Sequence, residues 1–333
     1  MTAALVKRSR ARGFALAISL LAGATGNAYV QRDDAPFPSR PLRLITGFLP
    51  GGVSDTVARI AGEHLGQLLG QRVVIDGRPG AGGLLSMELA AHATPDGHTL
   101  YLGQPVITIS PNFKRKPAFD PLKAFAPVSL LGVGATMLVL NPSTPANSVK
   151  ELIALGKSQP PGTLRYGHSG QGSTNHLAGA LFAVMAGVSL TPVPYKGAAA
   201  NILAAMQGEV QMAFMPVLAS IPHVKSGKLK GLAITGSRRS QALPDVPTIA
   251  ETLPGYDVPV WYGLMVPAAT PQKIVDRLNR ETRRVLLMPE VREKLAAQGI
   301  DTQYTTQAEF AELIRQDAAR WARLVRESGI VLE

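Results

Sequence analysis

The chain has no cysteine in its 333 residues. That excludes disulfides, a thiolate nucleophile, cysteine-ligated zinc and a lipid-modified amino-terminal cysteine. Aromatic residues are scarce, at 5%, and they are not interleaved with the basic residues as a nucleic-acid stacking platform requires. The apolar run near the amino terminus, Phe14 to Ala24, falls short of the ~20 residues that span a bilayer. The six histidines show no H-E-x-x-H spacing, so no metal site is expected. There is no G-x-x-x-x-G-K-[ST] loop. Gly170-x-Gly172-x-x-Asn175 lacks the third glycine and the acidic ribose partner of a dinucleotide site, so no cofactor is expected either.

What is present begins with an export signal. Lys7, Arg8, Arg10 and Arg12 precede the apolar run without any acidic residue, and Gly26 and Ala28 suit a cleavage site. Residues 1–28 therefore read as a signal peptide cleaved near Ala28. Without a twin-arginine pair, the general secretory route is expected. A soluble exported chain free of disulfides fits the bacterial periplasm. Cleavage lowers the formal net charge from +11 to +7. The remaining basic residues, such as Arg277, Arg280, Arg283 and Arg284, lie along helical stretches and read as a solvated face, not a nucleic-acid surface. Residues 29–39 are polar and proline-containing and read as a flexible leader.

A chain of this length outgrows a single core, so two lobes are expected. Leu42, Leu44 and Ile45 make a short strand, a glycine turn follows, and Val57, Ile60, Ala61, Leu65 and Leu68 recur at helical spacing. "RVVID", "GAGGLLSMELAAHA" and "HTLYLG" repeat the alternation. Strands alternating with helices predict an α/β protein with a mainly parallel sheet. The apolar segment 125–141 exceeds a usual strand and is expected to run from one lobe into the other. Residues 240–259 carry four prolines and read as a long ordered connector. Thr270-Pro271 suggests an N-cap with proline at the first helical position, and Thr306 with Glu309 a capping box. The first lobe is interrupted by about residues 140–255 and completed by the carboxyl-terminal part.

Gly167-His168-Ser169 opens like the nucleophile elbow of a serine hydrolase, but in G-H-S-G-Q-G the second glycine is misplaced by one. Between Ser169 and the last histidine, His223, the only acid is Glu209, and no histidine follows a later aspartate. A Ser–acid–His order is nearly unavailable. An exported hydrolase using Ser169 remains the competing class. His64 and His92 suit surface or capping roles, while His176, one turn inside a helix, is placed to orient the preceding loop.

An anion site asks for less. In "LPGGVSD" and "SGQGSTN" glycines immediately precede a helix whose first-turn N–H groups lack acceptors. Ser54 or Asp55 is the expected cap of the first helix, and Ser173 or Thr174 of the second. Two such loops in an exported protein without catalytic groups point to a carboxylate held between lobes.

"PSRPLRLITGFLPGGVSDTVARIAGEHLGQLLGQRVVIDGRPGAGG", "ATPDGHTLYLG", "YGHSGQGSTNHLAG", "VPYKGAAA", "SGKLKGLAITGSRRSQALPDVPTIAE" and "PGYDVPVWYGLMVPAATP" together resemble the extracytoplasmic solute-binding receptors of the tripartite tricarboxylate transporter family, the Bug receptors. The resemblance runs from Pro38 to the end. It implies an α/β, type II periplasmic-binding-protein fold, with one lobe of residues 40–135 and 256–333, another of 136–255, and a ligand cleft between them. It implies no enzymatic activity. The expected ligand is a small carboxylate: a dicarboxylate, an acidic amino acid or an aromatic acid. One carboxylate would meet the loop of Gly51, Gly52, Ser54 and Asp55. The other lobe would supply Ser169, Gly170, Gly172, Ser173 and Thr174 together with Tyr195, Lys196, Gly197 and Ala198. Leu49, Gln104 and Met215 complete the set. The implied partners are the membrane subunits of a tripartite tricarboxylate-type transporter, or a sensor protein in their place, with the receptor itself a monomer.

The sequence departs from the family pattern at three places. Ala180 stands where "HLAGE" has its glutamate, Met215-Pro216-Val217 replaces an acidic or amide residue, and Leu49 stands where proline or a small residue is usual. A cleft bordered by Leu49, Met215 and Val217 would favour a ligand with an apolar or aromatic body and one or two carboxylates.

Overall fold

The computed structural model describes residues 37–47, 50–114, 116–170, 172–240, 243–328 and 331–332. The signal-peptide assignment, and most of the leader, lie outside them.

The alternation read from the sequence builds the first sheet. Strands β1 (Leu42–Thr46), β2 (Val73–Gly77) and β3 (Thr99–Gly103) run parallel, with α1 (Val53–Leu69) and α2 (Leu84–Ala91) as the connections between them. After β3 comes the short α3 (Val106–Ile109) and then the long segment, which divides into β4 (Phe125–Gly134) and β5 (Thr136–Leu140) with only Ala135 between them. β4 belongs to the first sheet and β5 to the second. The chain thus crosses from one lobe to the other within a single extended stretch.

In the second lobe the order is α4 (Val149–Ser158), β6 (Leu164–His168), α5 (Thr174–Ala186), β7 (Leu190–Pro194), α6 (Ala198–Gln207), β8 (Met212–Pro216), α7 (Val217–Lys225) and β9 (Lys230–Ile234). Among its described residues the proline-rich connector carries no strand of its own, and β10 (Val260–Pro267) returns to the first sheet. α8 (Gln272–Leu287), α9 (Pro289–Ala296), β11 (Ile300–Thr302) and α10 (Gln307–Ser328) follow. The first sheet has the order β11-β4-β10-β3-β1-β2, the second β7-β6-β8-β5-β9.

The sheets are mixed, not mainly parallel. β10 is antiparallel to β3 and β4, and β5 to β8 and β9, whereas β6 is parallel to β7 and β8. A strand arriving from the other sheet enters at the end where its βαβ neighbours finish, so it must run against them. The crossing imposes a direction that the local pattern of residues does not encode.

Strand alternation sorts side chains onto the two faces of each sheet. In β1, Leu42 and Leu44 pack with Leu65 of α1 and Leu278 of α8, while Ile45 packs with Met87, Trp261 and Phe310 on the opposite face. α10 serves both lobes. Its Phe310 and Ile314 enter the first-lobe core, and its Trp321 enters the cluster of Tyr166, Leu181 and Phe214. Trp321 is 2% exposed. The capping box is present, with Thr306 N–H donating to Glu309 Oε2 and Glu309 N–H to Thr306 Oγ1. The cap of α8 falls one residue later than expected, on Pro271. Thr270 instead turns its hydroxyl back to the Pro267 carbonyl at 2.7 Å.

Candidate functional site

In open α/β sheets ligands bind beyond the carboxyl ends of the parallel strands. Gly51, Gly52, Ser54 and Asp55 follow β1, and Gln104 follows β3. Ser169 to Thr174 follow β6, Tyr195 to Ala198 follow β7, and Met215 is the penultimate residue of β8. Leu49 is outside the described residues. The scattered candidates are therefore brought to the carboxyl ends of two sets of parallel strands.

The first loop is anchored differently from the sequence expectation. Gly52, extended at φ −81° and ψ 170°, caps α1 with no side-chain bond, so neither Ser54 nor Asp55 is the cap. The physical reason is that both side chains are claimed elsewhere. Asp55 Oδ2 accepts the Gly51 N–H at 3.0 Å, and Arg59 grips both carboxylate oxygens at 2.8 and 3.0 Å. Burial opposes the Asp55 charge, but Arg59 and the Gly51 N–H outweigh it and hold the pKa below the ordinary aspartate value. Ser54 Oγ accepts from Gln104 Nε2 at 3.0 Å, with both residues 7% exposed. The first-turn N–H groups of Val53 and Ser54 have no acceptor within the helix, and Gly51 and Gly52 beside them are exposed. Thr46, at the end of β1, keeps a buried hydroxyl without a partner.

Two features near this loop escaped the sequence reading. Gly47 lacks a Cβ where one would lie 2.8 Å from Ser86 Oγ and 3.0 Å from Gly83 Cα, so the "PGAGG" turn after β2 packs directly onto it. In that turn Ala81 takes φ 46°, a conformation uncommon outside glycine. The repeated glycines were the visible signal.

The second loop follows the expectation more closely. Ser173 caps α5, its hydroxyl accepting the His176 N–H at 3.3 Å. Gly172 has φ +71°, and a Cβ there would lie 2.5 Å from the Phe113 ring. Ser169 Oγ accepts from Asn175 Nδ2 at 3.3 Å, so an amide stands where a hydrolase places its imidazole base. Phe113 gave no signal in the sequence, because only the tertiary fold carries it from the first lobe to Gly172. It follows α3 and is reached from Gln104 through one short helical stretch. Ser54 bonds Gln104 and Phe113 meets Gly172, with residues 105–112 joining the two contacts along the chain.

The third loop is pinned to the second, with Tyr195 N–H donating to the His168 carbonyl at 2.8 Å. The Tyr195 hydroxyl turns away to Glu209 Oε2 at 3.1 Å, and its pKa is raised by burial and by that carboxylate. Lys196 is exposed, and Gly197 caps α6 at φ 89°. Asn201, one turn into α6, holds a wholly buried Oδ1 without a hydrogen-bond partner, packed against Gly167.

Met215 does not present its side chain to a cleft. It is 0% exposed and packs with Val139, Ile202 and Val217 in the core of the second sheet, because strand alternation turns it inward. The apolar border expected from Met215 and Val217 is core. His64 is likewise buried, not on the surface, with Nδ1 3.5 Å from Glu290 Oε1. His92 caps α2 and meets the Glu88 carbonyl. Among the described residues no cluster of histidine and acidic side chains is arranged to hold a metal.

Two mixed α/β lobes joined by crossing strands, with glycine loops at the carboxyl ends of their parallel strands, define a type II periplasmic-binding-protein fold. Residues 57–330 match the model of the tripartite tricarboxylate transporter family receptor, and the chain belongs to that family. It is 34% identical over 300 residues to the protein BugT of Bordetella pertussis, covering 89% of this chain and 92% of BugT. Among solved structures it is similar to an R. palustris protein with adipate, with TM-score 0.82, 32% identity and coverage of 89% of this chain and 99% of that one. MatC from Rhodopseudomonas palustris with bound malate gives TM-score 0.78 and 32% identity, covering 87% of this chain and 100% of MatC.

Proposed function

We infer that this protein is a periplasmic receptor that captures a small carboxylate between its lobes, performs no chemistry on it, and delivers it to the membrane subunits of a tripartite tricarboxylate-type transporter. The observation that carries the reading is the pair of glycine loops, one in each lobe, each opening a helix at the carboxyl end of a parallel strand. Main-chain N–H groups at helix starts suit an anion, and the helix dipole favours negative charge there. The relatives solved with adipate and with malate support a dicarboxylate as ligand. The lobes are assigned as 40–135 with 256–333, and 136–255. Lobe closure would bring Gly51–Asp55 to one end of the ligand and Ser169–Thr174 with Tyr195–Ala198 to the other.

A thermal-shift screen of the protein against adipate, malate, citrate, aspartate, glutamate and benzoate tests this. A ligand at about 100 times its dissociation constant adds roughly 2.7 kcal/mol to the native state, enough to raise Tm by several degrees. A shift confined to one subset of carboxylates supports the reading and names the class. No shift with any of them, using protein stripped of bound ligand by unfolding and refolding, overturns it.

A further inference from the structure

The glycine loop after β6 rests on two imidazoles. The His168 and His176 rings are 4.5 Å apart between centroids, at 37°, and the residues are only 1% and 7% exposed. Gly172 N–H points at His176 Nδ1 across 3.3 Å. His168 Nδ1 lies 2.9 Å from the Gly170 carbonyl and 3.2 Å from the Gly170 N–H. The main chain of His176 is already committed: its N–H goes to Ser173 Oγ, and its carbonyl accepts from the Tyr166 hydroxyl at 3.1 Å. Tyr166 also lies nearly parallel to the His176 ring, at 13° and 6.4 Å, and the Phe113 ring closes over Gly172. The His176 ring thus lies between the His168 and Tyr166 rings with its Nδ1 facing the Gly172 N–H. An acceptor at Nδ1 requires the Nε2–H tautomer, and burial together with the neighbouring His168 keeps the ring neutral.

We propose that His176 is the positioning residue of the ligand loop: its Nδ1 fixes the Gly172 N–H, holds Gly172 and Ser173 in place at the start of α5, and so leaves the first-turn N–H groups of α5 directed at the bound carboxylate. The inference rests on reading that loop as one wall of the carboxylate site. It assigns His176 no contact with the ligand. Protonation of Nδ1 would set a donor against the Gly172 donor and release the anchor.

The test compares the protein with His176→Asn, whose side-chain oxygen can replace Nδ1 as acceptor, and His176→Leu, which keeps bulk without an acceptor. Long-range 1H–15N spectra read the tautomer of His176, amide exchange reads the protection of Gly172, and calorimetric titration with adipate and with malate reads affinity. The expected results are an Nε2–H imidazole, Gly172 exchange faster by about tenfold in His176→Leu, and protection regained in His176→Asn. Affinity is expected to fall about tenfold in His176→Leu and to stay within about threefold in His176→Asn. Unchanged Gly172 protection or unchanged affinity in a folded His176→Leu overturns the proposal, as does a His176→Asn variant no better than His176→Leu. Should the unaltered protein bind neither dicarboxylate, the exchange and tautomer measurements still decide the anchoring role, while the carboxylate reading falls separately.

Discussion

The hydroxyl oxygens of Thr136 and Thr235 lie 2.8 Å apart where the chain passes between the two sheets. Thr136 opens β5 immediately after the crossing at Ala135, and Thr235 directly follows β9. Thr136 N–H donates to Thr235 Oγ1 at 3.2 Å, Thr235 N–H to the Thr136 carbonyl at 2.9 Å, and Val258 N–H to the Thr235 carbonyl at 2.8 Å. The outgoing and returning segments are thus stitched side by side, with both threonines buried.

Thr235→Val keeps the shape and removes the hydroxyl, which leaves Thr136 Oγ1 and Thr136 N–H short of a partner. A loss of about 1–3 kcal/mol is expected, read as a lower Tm. In Thr136→Val/Thr235→Val both hydroxyls are gone, so the double variant should cost less than the sum of the singles. Strict additivity would show that the two hydroxyls are not coupled.

Gly172→Ala meets two obstacles. Its φ of +71° is unfavourable for an L-residue by about 1–2 kcal/mol, and its Cβ would fall 2.5 Å from the Phe113 ring. The variant should lose stability and carboxylate affinity together. Adding Phe113→Leu should recover only the part due to the ring. Full recovery by that second change would show that the backbone conformation carries no cost.

His176 also makes stability depend on pH. Burial and the adjacent His168 push its pKa from 6.5 down to about 4 in the folded chain. The unfolded chain therefore binds a proton on this residue between about pH 6.5 and 4 while the native state does not, so stability falls as pH is lowered through that window and this contribution is fully present above it. At about 1.36 kcal/mol per pH unit the loss reaches roughly 3 kcal/mol near pH 4. Chemical denaturation of the protein and of His176→Asn across this range checks it. The variant should show a shallower slope, and parallel slopes would refute the assignment.

Ser169→Ala separates binding from catalysis. With its hydroxyl bonded to Asn175 and no imidazole base in place, Ser169 is expected to support affinity and not turnover. Neither form should hydrolyse p-nitrophenyl acetate above the buffer rate. Hydrolysis by the unaltered protein that vanishes in Ser169→Ala would restore the hydrolase reading.

Several local features were legible because they depend on adjacent residues. Glycines before a helix start, Ser173 as a cap and Thr306 paired with Glu309 are features of a few adjacent residues, and backbone sterics and unpaired N–H groups act over that range. The misreadings at Ser54, Asp55 and Met215 share one cause. Each has a side chain whose destination depends on residues elsewhere: Gln104 for Ser54, Arg59 and the Gly51 N–H for Asp55, and the Val139–Ile202 core for Met215. Asn201 and Phe113 were invisible for the same reason.

The sequence by itself determined the repeating strand–loop–helix units, the crossing at 125–141, the positions of the glycine loops and the family to which the chain belongs, because periodicity, turn chemistry and motif order survive without the fold. Only the tertiary structure decided that the sheets are mixed, that α10 joins both cores, that Phe113 lies over Gly172, and that the His168 and His176 rings lie 4.5 Å apart beside that loop. Strand direction, long-range contact and burial are set by where the chain returns in space, and no stretch of adjacent residues carries that information.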